Sequence, residues 1–543
     1  MKKFAVCLQA LWGMSAPVRW RMAVSVAIGL VRIAASLGFV WTSKYLVDIA
    51  TGVKDQPIGP AIALFAGVLA LQLGTVVLAN WWDAYNQVKA QNLLRKDLFG
   101  HVMRSRWDGR ERFLSGDTVN RLEEDIRVVS ELLTDRMPGL VITLLQLLAA
   151  SIFLLILSPN LLWVLLVLMV STVFGSKLFF RQLRQLMASI RKRESELQQL
   201  MQESLQHRVL VLTLTNVERV LEKFGWLQAD VESSTRKRLN YNAVARGLMF
   251  FGFQAGHATA FLWGVFGIKA GTVTYGTMTA FLQLVGQVQR PIAELGRQIP
   301  ALIQALTSIE RLIDLQELEE EPREAPKQLS GAPAIRVDHL SYTYPGSTEP
   351  VLEDFSCEFP AGEMTVIAGP TGIGKSTLIR LILGLLKPDN GSVTVGAFPA
   401  GSALRTNFMY IPQGNSLLSG TIRSNLLLAA PQASDEALKA ALTTAVAQFV
   451  YDLPEGLDTP CGEIGSGLSE GQAQRIAIAR ALLRPGGVLI LDESTSALDP
   501  ETEKQLLENL HREYGGQKTV LFISHREAAL RYANHIVTLT AQS

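Results

Sequence analysis

Long apolar runs alternate with polar, basic segments over the first three hundred residues of the chain. A helix needs about 20 residues to cross the roughly 30 Å hydrocarbon core of a membrane. Six runs reach this length, and they are Met22 to Ile49, Ile58 to Trp82, Met137 to Leu157, Leu161 to Phe180, Leu248 to Gly271 and Tyr275 to Leu295. The pattern predicts a polytopic α-helical membrane domain with six transmembrane helices, of which the third and fourth form a hairpin because only Ser158, Pro159 and Asn160 join them.

The connections between these runs differ strongly in charge. Lys and Arg concentrate after the second and fourth runs, whereas the loops after the first, third and fifth runs offer only Lys54, no basic residue, and Lys269. Basic loops face the cytosol. We therefore expect both termini to be cytoplasmic, and we interpret the residues ahead of the first run as a retained segment rather than a signal peptide.

The two basic segments are longer than a connection requires, and their spacing is helical. We interpret them as cytosolic extensions of the spans, with reversals at Arg106 to Asp117 and His207 to Val217. The alternative, that the charges simply cover solvated helix faces, stays open.

The chain changes character near residue 316. An acidic, proline-bearing stretch without apolar periodicity follows, which is typical of a linker. Beyond it, strand-like runs such as Ile335 to Tyr344 alternate with helical runs such as Ser376 to Leu386, which favours a mainly parallel α/β sheet. The predicted division is a membrane domain at 1–315, a linker at 316–333 and an α/β domain at 334–543.

A phosphate-binding loop follows the strand-like run Met364 to Ala368. The sequence there fits G-x-x-x-x-G-K-[ST] between a strand and a helix, and the residues expected to bind ATP are Gly369, Pro370, Thr371, Gly372, Ile373, Gly374, Lys375, Ser376 and Thr377. Glycines let backbone N–H groups surround phosphates at a helix N-terminus. We expect Lys375 to reach the β and γ phosphates and Ser376 to bind Mg²⁺.

A second apolar strand, Val488 to Leu491, leads into two carboxylates. We expect Asp492 to hold Mg²⁺ and Glu493 to act as the general base that polarises the attacking water. Between the two motifs, Ser469 and Gly471 begin a helical run and offer another anion site, although an ordinary helix N-cap explains them equally well at this point.

Composition agrees with a chain that lies partly in lipid. Hydrophobic residues make up 48% and charged residues 18%, and the formal net charge of +2 gives no reason to expect nucleic acid as a partner. The three cysteines lack the spacing of a disulfide framework or a zinc site.

The order and spacing of the phosphate loop, the L-S-x-G-Q segment and the Leu-Asp-Glu strand resemble the ABC transporter family. The second domain would then be an α/β P-loop ABC ATPase domain. The resemblance implies roles for further residues. Tyr344 would stack on adenine, Gln413 would be a further Mg²⁺ residue that also senses the attacking water, and His525 would act on the γ-phosphate. Ser496 to Asp499 would form the D-loop, with Asp499 as its acidic residue. The resemblance also implies that Ser469, Gly471 and Gln472 form the signature that acts on ATP held by a partner domain.

The whole chain resembles an exporter-type half-transporter, in which two copies are needed and the two cytosolic reversals are coupling helices. The signature departs from the usual pattern at Glu470, and residues 462–467 resemble the exporter cross-talk loop only loosely. Because the key site residues are present, we expect a homodimer, with a heterodimer left open.

The implied function is ATP-driven export of a lipid, peptide or amphiphilic small molecule, with ATP and Mg²⁺ as cofactors. An importer of a metal chelate on the same scaffold and an ATP-gated membrane regulator or channel are the alternatives. Polar residues within spans tend to face a cavity, so Arg32, Gln254 and His257 are candidates for the substrate path, with helix contacts as the other explanation. No peptidase segment precedes the first run, which disfavours a peptide-processing exporter. We expect the bacterial inner membrane as the location.

Overall fold

The structure is a computed structural model that describes residues 4–107, 116–177, 180–414, 416–462, 467–524 and 527–540. It contains two compact units. The first comprises Met1–Phe99 and Asn120–Asp314, and the second comprises Gly100–Val119 and Leu315–Ser543. The segment Gly100–Val119, which includes the end of the second long helix, therefore belongs to the second unit, as judged by its contacts. The exact domain limits given above stay a prediction.

Helices build the first half of the chain. Their bounds are α1 (Phe4–Ser15), α2 (Arg19–Ala50), α3 (Ile58–Arg104), α4 (Gly116–Asn120), α5 (Ile126–Glu131), α6 (Met137–Leu157), α7 (Pro159–Lys177), α8 (Phe180–Gln206), α9 (Arg208–Thr213), α10 (Val217–Lys269) and α11 (Tyr275–Gln316), with π-helical turns at Arg121–Asp125 and Leu132–Arg136. The predicted spans Met22 to Ile49, Ile58 to Trp82, Met137 to Leu157 and Tyr275 to Leu295 each lie within one of these helices. The run Leu161 to Phe180 extends beyond the end of α7 to the first residue of α8, and the run Leu248 to Gly271 extends two residues beyond the end of α10.

Among the described residues, three continuous helical segments are long and apolar enough to cross a membrane, and they are Ala5–Ala50, Ile58–Arg104 and Asp117–Leu157. A shorter apolar segment follows at Pro159–Thr172. Many large apolar side chains on these helices are exposed, for example Leu69 and Leu73 on α3 and Leu148 on α6. An apolar surface of this extent is stable in contact with lipid rather than water.

The predicted connections in this half have mixed outcomes. The hairpin is confirmed, because only Ser158, in an extended conformation, separates α6 from α7. A reversal after residue 207 is confirmed as well, since the short helix α9 stands between α8 and α10. The core of the other reversal, at 108–115, lies outside the described residues. Helix α1 was not expected from the sequence; Cys7, Leu11 and Met14 are buried along one of its faces.

The second unit contains two main sheets. Its strands are β1 (Ile335–Tyr342), β2 (Leu352–Phe359), β3 (Met364–Ala368), β4 (Asn390–Val395), β5 (Phe398–Pro399), β6 (Phe408–Ile411), β7 (Gly420–Thr421), β8 (Pro460–Cys461), β9 (Val488–Asp492), β10 (Thr519–Ile523) and β11 (His535–Thr538). Strands β2, β1, β4 and β5 form an antiparallel sheet in that order, β7 pairs with β8, and β11, β3, β10, β9 and β6 form a parallel sheet. The α/β prediction is confirmed.

The helices of this unit are α12 (Lys375–Ile382), α13 (Ile422–Leu427), α14 (Asp435–Thr444), α15 (Glu470–Leu482), α16 (Pro500–Tyr514) and α17 (Glu527–Tyr532). Strands β9 and β10 are fully buried in the centre of the parallel sheet. In a parallel sheet the carboxyl ends of all strands meet at one edge, where ligands bind. The loops after β3, β9 and β6 therefore share the edge at which the phosphate motifs were predicted.

The stretch predicted as a linker is anchored rather than free. The backbone N–H of Lys327 donates to the carbonyl of Ala403 (2.8 Å), and that of Leu329 donates to Oδ1 of Asn407 (2.8 Å). The buried Asn407 returns a bond from Nδ2 to the carbonyl of Lys327 (2.6 Å). These bonds fix the segment along the surface of the second unit.

Candidate nucleotide site

The phosphate loop joins the end of β3 to the start of α12 at Lys375. Gly372 and Gly374 have φ angles of +86° and +107°, which residues with side chains rarely adopt. A Cβ atom at Gly374 would also lie 2.9 Å from Cγ1 of Val351. The glycines at this loop are required by the backbone path, and the loop leads directly into the N-terminus of α12, where the helix dipole favours an anion.

Lys375 is folded over the loop. Its side chain is nearly buried, and Nζ donates to the carbonyl oxygens of Gly369 (2.8 Å) and Pro370 (2.9 Å). The carbonyl groups are neutral acceptors, and a phosphate oxygen would offer the same ammonium a charged acceptor and a stronger bond. The position of Lys375 fits its predicted role on the β and γ phosphates.

Two of the three residues predicted to hold Mg²⁺, Ser376 and Asp492, meet at this edge of the sheet. Ser376 Oγ donates to Oδ1 of Asp492 (3.1 Å), and the hydroxyl of Tyr410 donates to Oδ2 (3.3 Å). Burial raises the pKa of Asp492, while the bonds from Ser376 and Tyr410 act in the opposite direction. A hydroxyl and a carboxylate are hard oxygen ligands of the kind that Mg²⁺ prefers, so these residues fit the ion.

Glu493 has a strained backbone. Its φ angle is +46°, in a region that costs a residue with a side chain of the order of 1 kcal/mol or more. Glu493 comes directly after the last residue of β9, and its backbone N–H donates to the carbonyl of Ile523 (3.2 Å). Strain of this kind is concentrated at functional sites, which agrees with a catalytic role for this carboxylate.

Gln413 and Glu493 are in direct contact. Nε2 of Gln413 donates to Oε2 of Glu493 (2.8 Å), although 80 residues separate them in the chain. The bond forms because β6 lies beside β9 in the parallel sheet, so that the loops after the two strands are neighbours. The structure therefore joins two residues that the sequence pointed to separately.

The signature residues cap a helix. Ser469 Oγ accepts from the N–H of Gln472 (3.2 Å), and Oε1 of Gln472 accepts from the N–H of Ser469 (2.9 Å), which is a complete capping box. The N-cap explanation therefore holds within one chain. The capping box is compatible with an anion site, since it stabilises the N-terminus of α15, where the helix dipole favours an anion.

The D-loop lies against the signature helix α15. The N–H of Ala497 donates to Oε1 of the buried Gln474 (3.3 Å), and a Cβ at Gly471 would lie 2.9 Å from the carbonyl of Ala497. Asp499 caps α16 by accepting from the N–H of Thr502 (3.0 Å), and this bond lowers the pKa of Asp499. The two segments thus form one packed unit next to Glu493.

Tyr344 is the better placed of the two tyrosines near the expected adenine position. Tyr342 is only 5% exposed and belongs to the core, whereas Tyr344 is half-buried and its hydroxyl lies 3.0 Å from Oγ1 of Thr377. The remaining residues cannot be placed in the same way, because His525 and residues 463–466 of the cross-talk segment lie outside the described residues.

Sequence reasoning missed three residues that the structure brings to this site, namely Tyr410, Arg380 and Gln474. Tyr410 lies three residues before Gln413 on β6, and the pairing of β6 with β9 in the folded sheet brings its hydroxyl to Asp492. Arg380 and Gln474 form hydrogen bonds with residues distant in the sequence, which no local motif predicts.

Contacts are found for Arg32 and His257, two of the three candidates for the substrate path. Arg32 is half-buried on α2, and its charge acts on Asp83 of α3. His257 is half-buried on α10, with Nδ1 3.1 Å from the carbonyl of Phe253, and Gln254 is exposed one turn earlier. Their role in transport stays a prediction.

Comparison with known proteins matches both halves of the chain. The model of the ABC transporter transmembrane region matches residues 22–292, and the ABC transporter model matches residues 352–496. A fatty acid ABC transporter ATP-binding/permease protein of Mycobacterium bovis is 28% identical over 503 residues, which cover 91% of this chain and 78% of that protein. An ATP-dependent lipid A-core flippase of Desulfotalea psychrophila is 31% identical over 374 residues, which cover 66% of this chain and 64% of the flippase.

A solved structure of a bacterial Atm1-family ABC exporter with ATP bound is similar along nearly the full length. The two chains are 22% identical, the TM-score is 0.78, and the match covers 96% of this chain and 94% of the other. This similarity establishes the fold of the chain.

Proposed function

The chain belongs to the ABC transporter family as an exporter-type half-transporter, an integral membrane protein that couples ATP hydrolysis to transport, and we propose that it exports a lipid-like amphiphile from the cytoplasmic side of the membrane. The pair of contacts Ser376–Asp492 and Gln413–Glu493 carries the catalytic part of this proposal. These contacts support the proposed roles of Ser376 and Asp492 as magnesium ligands and of Glu493 as general base, in a chain with membrane-crossing helices.

Half-transporters of this type dimerise, and we propose that the partner is a second copy of this chain. The catalytic residues of one copy are all present, so each of the two sites of a homodimer would be complete once the signature of the partner covers the phosphate loop. The proposed arrangement has six spans per copy and both termini in the cytoplasm, in the bacterial inner membrane.

The proposed chemistry is in-line transfer of the γ-phosphoryl group to water. Lys375 and the N–H groups of the phosphate loop hold the phosphates and offset the charge that develops on them. Ser376 and Asp492 would hold Mg²⁺, which supplies further compensation of that charge when it is bound. Glu493 orients the water and accepts its proton, and Gln413 holds the carboxylate of Glu493 in place until the water arrives.

Two observations support an amphiphilic substrate. The relatives named above act on a fatty acid and on lipid A-core, according to their names. The candidate path residues Arg32, Gln254 and His257 lie among apolar residues of their spans, and polar groups beside apolar ones suit a molecule with a polar head and an apolar body. Peptides and other small amphiphiles are the competing outcomes of the test.

The test measures MgATP hydrolysis by the purified chain in lipid nanodiscs against a panel of lipids, peptides and amphiphilic drugs. We expect stimulation by lipid-like compounds and no hydrolysis by Glu493→Gln under any condition. Stimulation by peptides alone would overturn the substrate class. A silent wild type, with ATP bound, would overturn the homodimer and direct the search to a partner chain.

A further inference from the structure

The end of α3 is tied to the second unit by backbone pairing. Ser105 forms an antiparallel bridge with Glu320, the N–H of Arg106 donates to the carbonyl of Glu319 (2.8 Å), and the N–H of Glu321 donates to the carbonyl of Arg104 (2.9 Å). We call the paired segments 104–106 and 319–321 the strap. The strap holds the end of a helix that begins among the membrane-crossing segments.

Glu321 extends the strap to the helix of the phosphate loop. Its carboxylate receives two bonds from the guanidinium of Arg405, at 2.7 and 2.5 Å. The same guanidinium donates to the carbonyls of Leu383 (3.2 Å) and Gly384 (2.7 Å), which follow the C-terminal end of α12. Two parallel bonds to a planar guanidinium define orientation as well as distance.

Trp107, directly after the strap, packs against the hydrophobic core that surrounds α12 and is half-buried there. The centroid of its ring lies 4.9 Å from the central carbon of the Arg380 guanidinium, which is within the range of a cation–π contact. Arg380 lies on α12, five residues after Lys375 of the phosphate loop.

Arg380 also reaches Tyr344. Its Nη1 donates to the hydroxyl of Tyr344 (3.1 Å), which lies 3.0 Å from Oγ1 of Thr377. Tyr342 contacts the Tyr344 ring edge-on, with the ring centres 5.1 Å apart. The tyrosine is thus held at its hydroxyl by Arg380 and Thr377 and at its ring by Tyr342.

We propose that Arg380 is a positioning residue that couples the end of α3, through Trp107, to the adenine-binding surface of Tyr344. The proposal rests on the proposed stacking of adenine on Tyr344. When Trp107 occupies its place, Arg380 is held over its ring and fixes the Tyr344 hydroxyl; when the end of α3 moves, both contacts weaken together. Coupling of this kind is reciprocal, so adenine binding stabilises the packed position of Trp107.

A purely structural role makes a different prediction. The charge of Arg380 also acts on Asp492, so its removal would disturb binding of the phosphates and of Mg²⁺ as well as binding of adenine. Arg380→Lys separates the two roles, because lysine keeps the charge but loses the planar group that stacks and donates in a fixed direction. Trp107→Ala removes the stack without changing any charge, and Trp107→Phe retains an aromatic face and serves as the matched control.

The experiment compares two ligands on the full chain in nanodiscs by calorimetry. The non-hydrolysable ATP analogue AMP-PNP has both adenine and phosphates, whereas tripolyphosphate has only the phosphates. For Arg380→Lys and for Trp107→Ala we expect the Kd of AMP-PNP to rise about three- to tenfold, the size of one lost cation–π contact or charge-assisted hydrogen bond. We expect the Kd of tripolyphosphate to stay unchanged in these variants and Trp107→Phe to bind both ligands as the wild type does. The double variant with Arg380→Lys and Trp107→Ala should bind AMP-PNP no more weakly than the single variant with the higher Kd.

Equal losses for both ligands would assign Arg380 a structural role and overturn the proposal. Unchanged AMP-PNP binding in Trp107→Ala, or fully additive losses in the double variant, would overturn it too. Tyr344→Ala tests the stacking of adenine on Tyr344 separately from the coupling through Arg380. If it leaves AMP-PNP binding intact, the stacking of adenine on Tyr344 fails and the coupling fails with it; if it weakens AMP-PNP alone while the other variants do not, only the coupling fails.

Discussion

The close contact between α15 and the D-loop predicts the effect of adding one methyl group at Gly471. A Cβ there would lie 2.9 Å from the carbonyl oxygen of Ala497 and 3.5 Å from Cδ2 of Leu498. The Leu498 contact is ordinary, but the first is not, since the closest common carbon to oxygen contacts are about 3.3 Å. A backbone carbonyl cannot rotate away, so in Gly471→Ala the start of α15 and the D-loop must separate by about 0.4 Å.

This displacement changes rate more than stability. Replacing glycine by alanine in a helix gains roughly 0.5–1 kcal/mol, and the strain of a slightly overfilled contact costs a similar amount, so the free energy of unfolding changes by less than about 1 kcal/mol. The D-loop begins three residues after Glu493, and misplacement by about 1 Å can cost a catalytic step roughly a hundredfold. We therefore expect kcat to fall about tenfold.

The assay measures kcat for MgATP and the midpoint of thermal unfolding on the same nanodisc preparation. Gly401→Ala is the matched control, because a Cβ at Gly401 meets no atom within 4 Å and its backbone is extended. An unchanged kcat in Gly471→Ala, with the control also normal, would refute the reasoning that this contact positions the catalytic carboxylate. A large fall in the unfolding midpoint would show instead that the contact stabilises the fold.

Three further predictions concern the site and its dimer. Glu493→Gln should lose hydrolysis by more than about a hundredfold while ATP remains bound, which parallel measurements of phosphate release and retained nucleotide would show; hydrolysis near the wild-type rate would exclude Glu493 as the base. The lowered pKa of Asp499 means that its charge stabilises the fold above its ordinary pKa of about 4 and that this contribution is lost as pH falls through the lowered value. Asp499→Asn should therefore unfold more easily than the wild type at pH 7 and equally easily at low pH, and a difference that persists at low pH would contradict this origin. Two differently tagged copies, expressed together, should purify on either tag, and failure to do so would argue for a different partner chain.

The sequence was informative where chemistry depends on local spacing. The limits of β3, β9 and β10 agree with the apolar runs, because fully buried parallel strands are short, continuous and apolar. The phosphate loop and the two carboxylates could be read for the same reason, since each motif lies within a few residues of its strand.

Other features depend on contacts between distant segments. The bond from Tyr410 to Asp492 and the bond from Gln413 to Glu493 require β6 to lie beside β9, which only the folded sheet determines. The anchoring of the acidic stretch through Glu321 could not be predicted, because its composition is that of a free linker and its partner, Arg405, lies 84 residues further on. Polar residues along α10 and α11 lower the mean hydropathy of those helices. The sequence pattern therefore locates the helices but indicates less clearly which of their residues cross the membrane.

The most direct test of the account is movement of a fluorescent lipid in proteoliposomes that expose the ATPase half to the outside. With external MgATP, the wild type should move the lipid from the outer to the inner leaflet, and Glu493→Gln should move none above the protein-free background. Movement that is equal without ATP, or equal in Glu493→Gln, would contradict the claim that hydrolysis at Glu493 drives export.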